Sequence, residues 1–309
     1  EPGDQVAICV NGVFGLRMCD LASRLGAEVI RIDSPWGRAV DPERAKEALK
    51  DVQPKLLAVV HAETSTGACS DLKALSAVAK DKNALFLVDM VTSLGGMEVN
   101  VDQTGIDAAY SGTQKCLSCP PGLSPVTFGP KAVEVIKNRQ HPVSSWYLDM
   151  NMVGNYWGSD RKYHHTAPIN MIYGLREALR LIAEEGLEAR WRRHAINHKA
   201  LVAGVEAMGL SMIVPQAERL PMLNAVTIPE GADDARVRST LLTKYDIEIG
   251  GGLGDFAGKV WRVGLMGYAA CERNVLLFLS ALETTLASQG VKVAPGAMNA
   301  AAKVYDSAS

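Results

Sequence analysis

Two side chains that follow short apolar runs have the types and spacing to do chemistry together. Ala84-Leu85-Phe86-Leu87-Val88 ends in the carboxylate of Asp89. Ile106-Asp107-Ala108-Ala109-Tyr110 continues through Ser111-Gly112-Thr113-Gln114 to Lys115. Apolar runs of this length, followed by Gly and polar residues, suit buried strands of a parallel sheet. Such sheets place ligands beyond the carboxyl ends of their strands, so the acid and the lysine can face one pocket. A lysine there can form a Schiff base with pyridoxal phosphate, and an Asp can pair with the pyridinium nitrogen. Taken alone, the same two residues fit an ordinary salt bridge or two solvated loop ends better, since structural ion pairs are common.

Positioning the pair requires strands that alternate with helices. Val6 to Val10, Glu28 to Ile32 and Leu56 to Val60 read as strands, separated by helical segments through Leu16 to Leu25 and Pro42 to Val52. Asp71 to Lys80 reads as a helix before the Asp89 strand, and Val133 to Lys137 as one after Lys115. This alternation predicts crossover units and a mainly parallel α/β sheet. Beyond it, Asn170 to Glu185 carries apolar residues at helical spacing and is closed by Gly186. Leu187 to Met208 follows as a long helix, whose basic run Arg190, Arg192, Arg193, His194 and Lys199 reads as a solvated face. Strands at 212–214, 224–228 and 260–265, with helices at 233–245 and 272–287, predict a smaller α+β unit. The expected division is residues 1–185 and 186–309. The stretch from Val291 to Ser309 is small and polar without a clear period and reads as a loose tail.

Composition narrows the function classes. The chain has 309 residues, 48% apolar and 21% charged, with a net charge of −2. That is a globular balance without a broad attraction to nucleic acid or anionic membranes. No apolar run is long enough to span a bilayer, and no signal-peptide pattern opens the chain. Cytoplasm is the expected location, since the ending Asp306-Ser307-Ala308-Ser309 is no peroxisomal address. The six cysteines are scattered. Cys116 and Cys119 form a single C-x-x-C, which lacks the second pair of a zinc site and reads as buried packing. His164 and His165 are adjacent and lack the further ligands that a metal needs, so no metal is expected. Gly252 to Ala257 superficially fits a dinucleotide fingerprint, but a strand follows it rather than a helix.

With these residues in place, a family resemblance emerges. VDMVTSLGG followed by SGTQKCLSCPPG resembles the aspartate and Schiff-base lysine segments of class V aminotransferases, which have the fold-type I architecture. Within that family the likeness is greatest to the alanine–glyoxylate (serine–pyruvate) group. It continues through NGVFG, HAETSTG, YHHTAP, GLREALRLIAEEGLEARWRRH and IEIGGGLGDFAGKVWRVGLMG, to about residue 288. The opening EPGDQVAICVNG resembles the middle of a family member. The family's N-terminal arm and Gly-containing phosphate loop are therefore expected ahead of residue 1.

The resemblance implies pyridoxal 5′-phosphate as cofactor, linked to Lys115 and paired with Asp89. It implies that Phe14, where the family usually has Trp, stacks on the pyridine ring and that Val91 packs on the opposite face. Thr64 would contact the cofactor, and Gln114 would lie at its phosphate. Tyr163 and Thr166 would reach the phosphate of a second subunit, which implies a homodimer with shared sites. Arg262, alternating with Trp261 and Val263 in an apolar strand, needs an anionic partner. It matches the family arginine that grips the substrate carboxylate at two points, a geometry Lys does not copy. The implied reaction is transamination from alanine or serine to glyoxylate or pyruvate. The alternatives are serine–glyoxylate or aminoethylphosphonate transamination, cysteine desulfurization, or a truncated chain that binds without catalysis. Against desulfurization, Gln114 stands where those relatives usually carry His.

Overall fold

The computed structural model describes residues 1–308. Its larger sheet has six strands, ordered Glu28–Asp33, Gln5–Val10, Leu56–Val60, Leu85–Asp89, Ala108–Tyr110 and Val126–Phe128. The first five are parallel, and Val126–Phe128 pairs antiparallel at the edge. Side chains alternate between the sheet's two faces. Val6, Ile8 and Val10 therefore join Ala58, Val60 and Met18 in one buried cluster. Ala7 and Cys9 join Leu57, Val59, Phe86, Leu72 and Leu75 in another. Helix Val13–Arg24 thus covers one face and helix Leu72–Asp81 the other. This two-sided burial explains why the strands read as continuous apolar runs. Asp71 caps the second helix by accepting from the backbone N–H groups of Lys73 and Ala74. The result is the mainly parallel α/β architecture expected from the sequence.

The register brings the functional strand ends level. Val60 pairs with Asp89, and Asp89 pairs with Tyr110. Three adjacent strands therefore finish along one carboxyl edge.

A smaller antiparallel sheet is built from Gly250–Gly251, Val260–Gly264 and Leu223–Thr227. Trp261 is fully buried beneath it, and its indole N–H donates to Asp234 at 3.0 Å. Helices Leu187–Ala207, Asp234–Tyr245 and Glu272–Ser288 complete that core.

Several local expectations are corrected. The stretch expected as a loose tail holds a helix, Ala297–Asp306, docked against Leu187–Ala207, and Ser309 lies outside the described residues. Ala297 and Ala301 are fully buried there, and the Tyr305 hydroxyl donates to Asn197 Oδ1 at 2.8 Å. Small alanines allow the close approach but give little apolar period to read. Met212–Val214 is not a strand and contributes one bridge, Met212 to Val226. The helix from Pro42 ends at Ala48. The run 190–199 is not a solvated face: Arg190 and His194 are buried and Arg193 is half-buried, while Arg192 and Lys199 are exposed. Among the described residues, no helix is long and apolar enough to cross a membrane.

Candidate active site

A cavity of about 540 Å³ opens at the carboxyl edge of the larger sheet. Phe14, Thr64, Asp89, Val91, Gln114 and Lys115 all line it. They come from four separate segments, and only the parallel topology gathers them. The structure does not bring Tyr163, Thr166 or Arg262 into the lining. Tyr163 and Thr166 are exposed and hydrogen-bonded to each other at 3.1 Å. Arg262 stands beside the Thr64 loop: its Nη1 donates to the Thr64 carbonyl at 3.2 Å and its Nε to the Gly251 carbonyl at 2.8 Å. Two carbonyls take part of the Arg262 guanidinium, and the charge of Glu63 acts on it nearby. Burial pushes the guanidinium's pKa down, and Glu63 opposes that shift.

Asp89 is buried. Its Oδ1 accepts from the Val91 N–H and its Oδ2 from the Tyr110 hydroxyl, each at 2.8 Å. Burial raises its pKa, and the two hydrogen bonds with the charges of Arg17 and Lys115 pull it back. Both oxygens keep lone pairs free for a further donor. A buried carboxylate restrained by distant charge is chemically suited to a cationic ring N–H. Pyridoxal phosphate offers that donor, and the cavity lies within the size range of small-molecule sites. The residues present fit the cofactor.

Phe14 is placed by its helix start. Glu63, fully buried, accepts from the N–H groups of Phe14 at 3.1 Å and Gly15 at 3.3 Å. It also accepts from the Ser65 N–H at 3.0 Å and hydroxyl at 2.6 Å. Ser65 Oγ in turn accepts from the Val13 N–H at 2.9 Å. This satisfies helix N–H groups that would otherwise lack partners. The packing requires Gly12, since a Cβ there would lie 2.4 Å from Ser65 Oγ and 2.5 Å from the Glu63 side chain. Burial raises the Glu63 pKa against these four donors.

Lys115 sits on a tight turn. The Ser118 N–H donates to the Lys115 carbonyl and the Cys119 N–H to that of Thr113, both at 3.0 Å. Ser118 takes a left-handed φ of 58°. Cys116 and Cys119 are buried in this turn, and the Cys116 thiol, pushed up to about 12 by burial, donates to the Thr92 carbonyl. That is the packing role expected for the pair.

Sequence reasoning missed three cavity neighbours. Tyr110 ends the strand next to Asp89, a position from which its contact could have been inferred. Arg17 lies one helical turn beyond Phe14, with its guanidinium 4.9 Å from that ring's centre. Glu63 lies three residues past the strand Leu56–Val60, and the helix start it receives is 48 residues away in sequence.

The profile of the class-V aminotransferases matches residues 1–265. The chain belongs to that family. It is therefore a pyridoxal-phosphate-dependent aminotransferase of the fold-type I architecture. A crystal structure of ureidoglycine–glyoxylate aminotransferase from Bacillus subtilis superposes with a TM-score of 0.96 at 43% identity, covering 99% of this chain and 79% of that one. Alanine–glyoxylate aminotransferase from Nostoc sp. gives a TM-score of 0.91 at 50% identity, over 93% of this chain and 76% of that one. Alanine–glyoxylate aminotransferase of Callithrix jacchus is 41% identical over 290 residues, 93% of this chain and 70% of the relative.

Proposed function

We propose that this aminotransferase moves the amino group of alanine or serine to glyoxylate or pyruvate, with Lys115 and Asp89 as its catalytic residues. The observation carrying this reading is that both residues line one cavity at adjoining strand ends. Glyoxylate as acceptor is supported by relatives on both sides of the family likeness, whose names share it. When bound, the cofactor supplies an aldehyde that takes up the amino group and a ring that withdraws electrons from the α-carbon. Lys115 would hold it covalently and, once displaced by substrate, would take the proton from the α-carbon as general base and give it as general acid to the carbon that was the cofactor's aldehyde. Asp89 would keep a proton on the ring nitrogen. Phe14 and Val91 would hold the ring plane, while Thr64 and Gln114 would bind at its edge and phosphate. Arg262 would grip the substrate carboxylate with the guanidinium edge left by its two carbonyl bonds.

A second reading has (S)-ureidoglycine as donor, favoured by the likeness to the Bacillus subtilis enzyme across nearly the whole chain. The test is a panel of alanine, serine, ureidoglycine and cysteine, read by loss of the lysine-linked cofactor's visible absorbance and its recovery with glyoxylate or pyruvate. Discharge by alanine or serine and recovery with glyoxylate is expected. Discharge by ureidoglycine alone selects the second reading. Persulfide formation with cysteine, or no discharge by any donor, contradicts both.

We also propose a homodimer in which Tyr163 and Thr166 reach the phosphate of a second copy. Support comes from a surface where Trp146, Tyr147, Trp157, Tyr163 and Tyr173 are all more than half exposed. Mixing inactive Lys115→Ala and Tyr163→Ala chains should restore part of the activity, because a mixed dimer holds one intact site. The division at residues 185 and 186 is likewise our reading, supported by the positive φ of 81° at Gly186 between two long helices. The cytoplasmic placement is a proposal consistent with six free thiols, and cell fractionation checks it.

A further inference from the structure

The buried part of the basic run has a position that a packing role alone does not require. Arg190 reaches from the helix Leu187–Ala207 to the back of the turn that carries Lys115. Its Nη2 donates to the Cys116 carbonyl, one residue past Lys115, and to Ser118 Oγ at 3.3 Å. Its Nε donates to the Gly95 carbonyl at 3.1 Å, in the loop that follows Asp89. Its Nη1 pairs with Glu185 at 2.7 Å. One guanidinium therefore ties the lysine's turn to the aspartate's loop. Glu185 also holds Arg193 at 2.6 Å, and Arg193 Nη1 donates to the carbonyls of Gly267 and Ala270 just beyond the Arg262 strand. Ser118 Oγ closes the circuit by accepting from the Tyr268 N–H at 2.9 Å. His194, on the same helix face, accepts from the Gly267 N–H at 2.9 Å.

We propose that Arg190 is a positioning residue for Lys115, fixing the turn against the Asp89 loop while the Glu185–Arg193 pair ties that turn to the Arg262 strand. The inference rests on Lys115 being the residue that holds the cofactor. Four acceptors at different angles suit a planar fork with fixed donors, which a single ammonium does not reproduce. Leaving these carbonyls without their donor frees the turn to shift, and small misplacements of a catalytic group cost turnover more than binding. Arg192, exposed on the same helix, makes the matched control.

The test compares Arg190→Gln, Arg190→Lys and Arg192→Gln with the parent holoenzyme. Three readouts are taken: the borohydride-fixed cofactor adduct on Lys115 by peptide mass, the pH midpoint of the lysine-linked cofactor's absorbance, and kcat and KM for the amino donor. Arg190→Gln should retain the adduct and lose about tenfold or more in kcat, the loss expected for a charge-assisted hydrogen bond, with KM changed far less. Its absorbance midpoint should move by about half a pH unit or more, because Lys115 sits at a changed distance from Asp89. Arg190→Lys should recover only part, and Arg192→Gln should match the parent. Should Arg190→Gln fail to fold, Ser118→Ala removes the one hydroxyl shared by Arg190 and Tyr268 and should move the midpoint in the same direction by less. A parent-like midpoint and kcat in the folded Arg190 variant, or in Ser118→Ala, overturns the proposal. Absence of the Lys115 adduct in the parent enzyme overturns the reading beneath it instead.

Discussion

Asp89 meets the charges of Lys115 and Arg17 across the cavity, while its oxygens accept only the neutral Val91 and Tyr110 donors. That arrangement keeps the carboxylate available to a ring nitrogen. Asp89→Asn should leave the cofactor attached at Lys115 yet lower turnover on the order of a hundredfold or more, measured as single-turnover discharge with saturating donor. Arg262 makes a separate prediction. On the proposed two-point grip of the substrate carboxylate, a contact worth about 1.5–3 kcal/mol, Arg262→Lys should raise the donor's KM about tenfold to a hundredfold. An unchanged KM would assign Arg262 to holding the Gly251 and Thr64 carbonyls alone. The residues Asp89 and Lys115 were legible because each follows an apolar strand whose end is marked by polar residues and Gly. Glu63 and Arg190 were not, because their partners lie 48 and 74 residues away in sequence. Nothing local distinguishes a buried arginine from the exposed Arg192 two positions on.

At the scale of elements, the helix that begins at Val13 presents Phe14 to the cavity only because the Glu63–Ser65 loop receives its N-terminus. Gly12→Ala would drive a methyl group into Ser65 and Glu63, an overpacking cost of about 1–3 kcal/mol. It should weaken cofactor affinity, measured by fluorescence titration, more than a substitution on the helix's exposed face. Equal affinity would mean that the loop does not set Phe14. Strands of the larger sheet were readable from composition because burial on both faces demands continuous apolar runs. The docked helix Ala297–Asp306 was hidden for the opposite reason: alanines pack closely while contributing little hydrophobic contrast. Met212 to Val214 is apolar and β-branched in part, but a single bridge leaves it without a ladder.

Across the whole molecule, two buried histidines make stability depend on pH. His61 and His194 are each lowered to about 4, chiefly by burial, and the neighbouring Arg190 and Arg193 charges add to the shift at His194. Their folded pKa lies below the unfolded value, so the unfolded chain binds more protons between about pH 4 and 6.5. The share of stability carried by these two histidines should therefore be fullest above pH 6.5 and be lost as pH drops toward 4, while the raised carboxyls of Asp89 and Glu63 act in the opposite sense. In the thermal midpoint, His194→Asn should remove part of that loss, and an unaltered slope would show that His194 does not titrate with unfolding. The same molecule-wide organisation gathers Phe14, Thr64, Asp89 and Lys115 from distant segments into one cavity at the sheet's carboxyl edge. The most direct test of that convergence is borohydride reduction of the cofactor-loaded enzyme followed by peptide mapping. A single phosphopyridoxyl group is expected on Lys115 and absent from Lys115→Ala; a stable adduct on another lysine, or none in the parent enzyme, would rule out Lys115 as the cofactor's anchor.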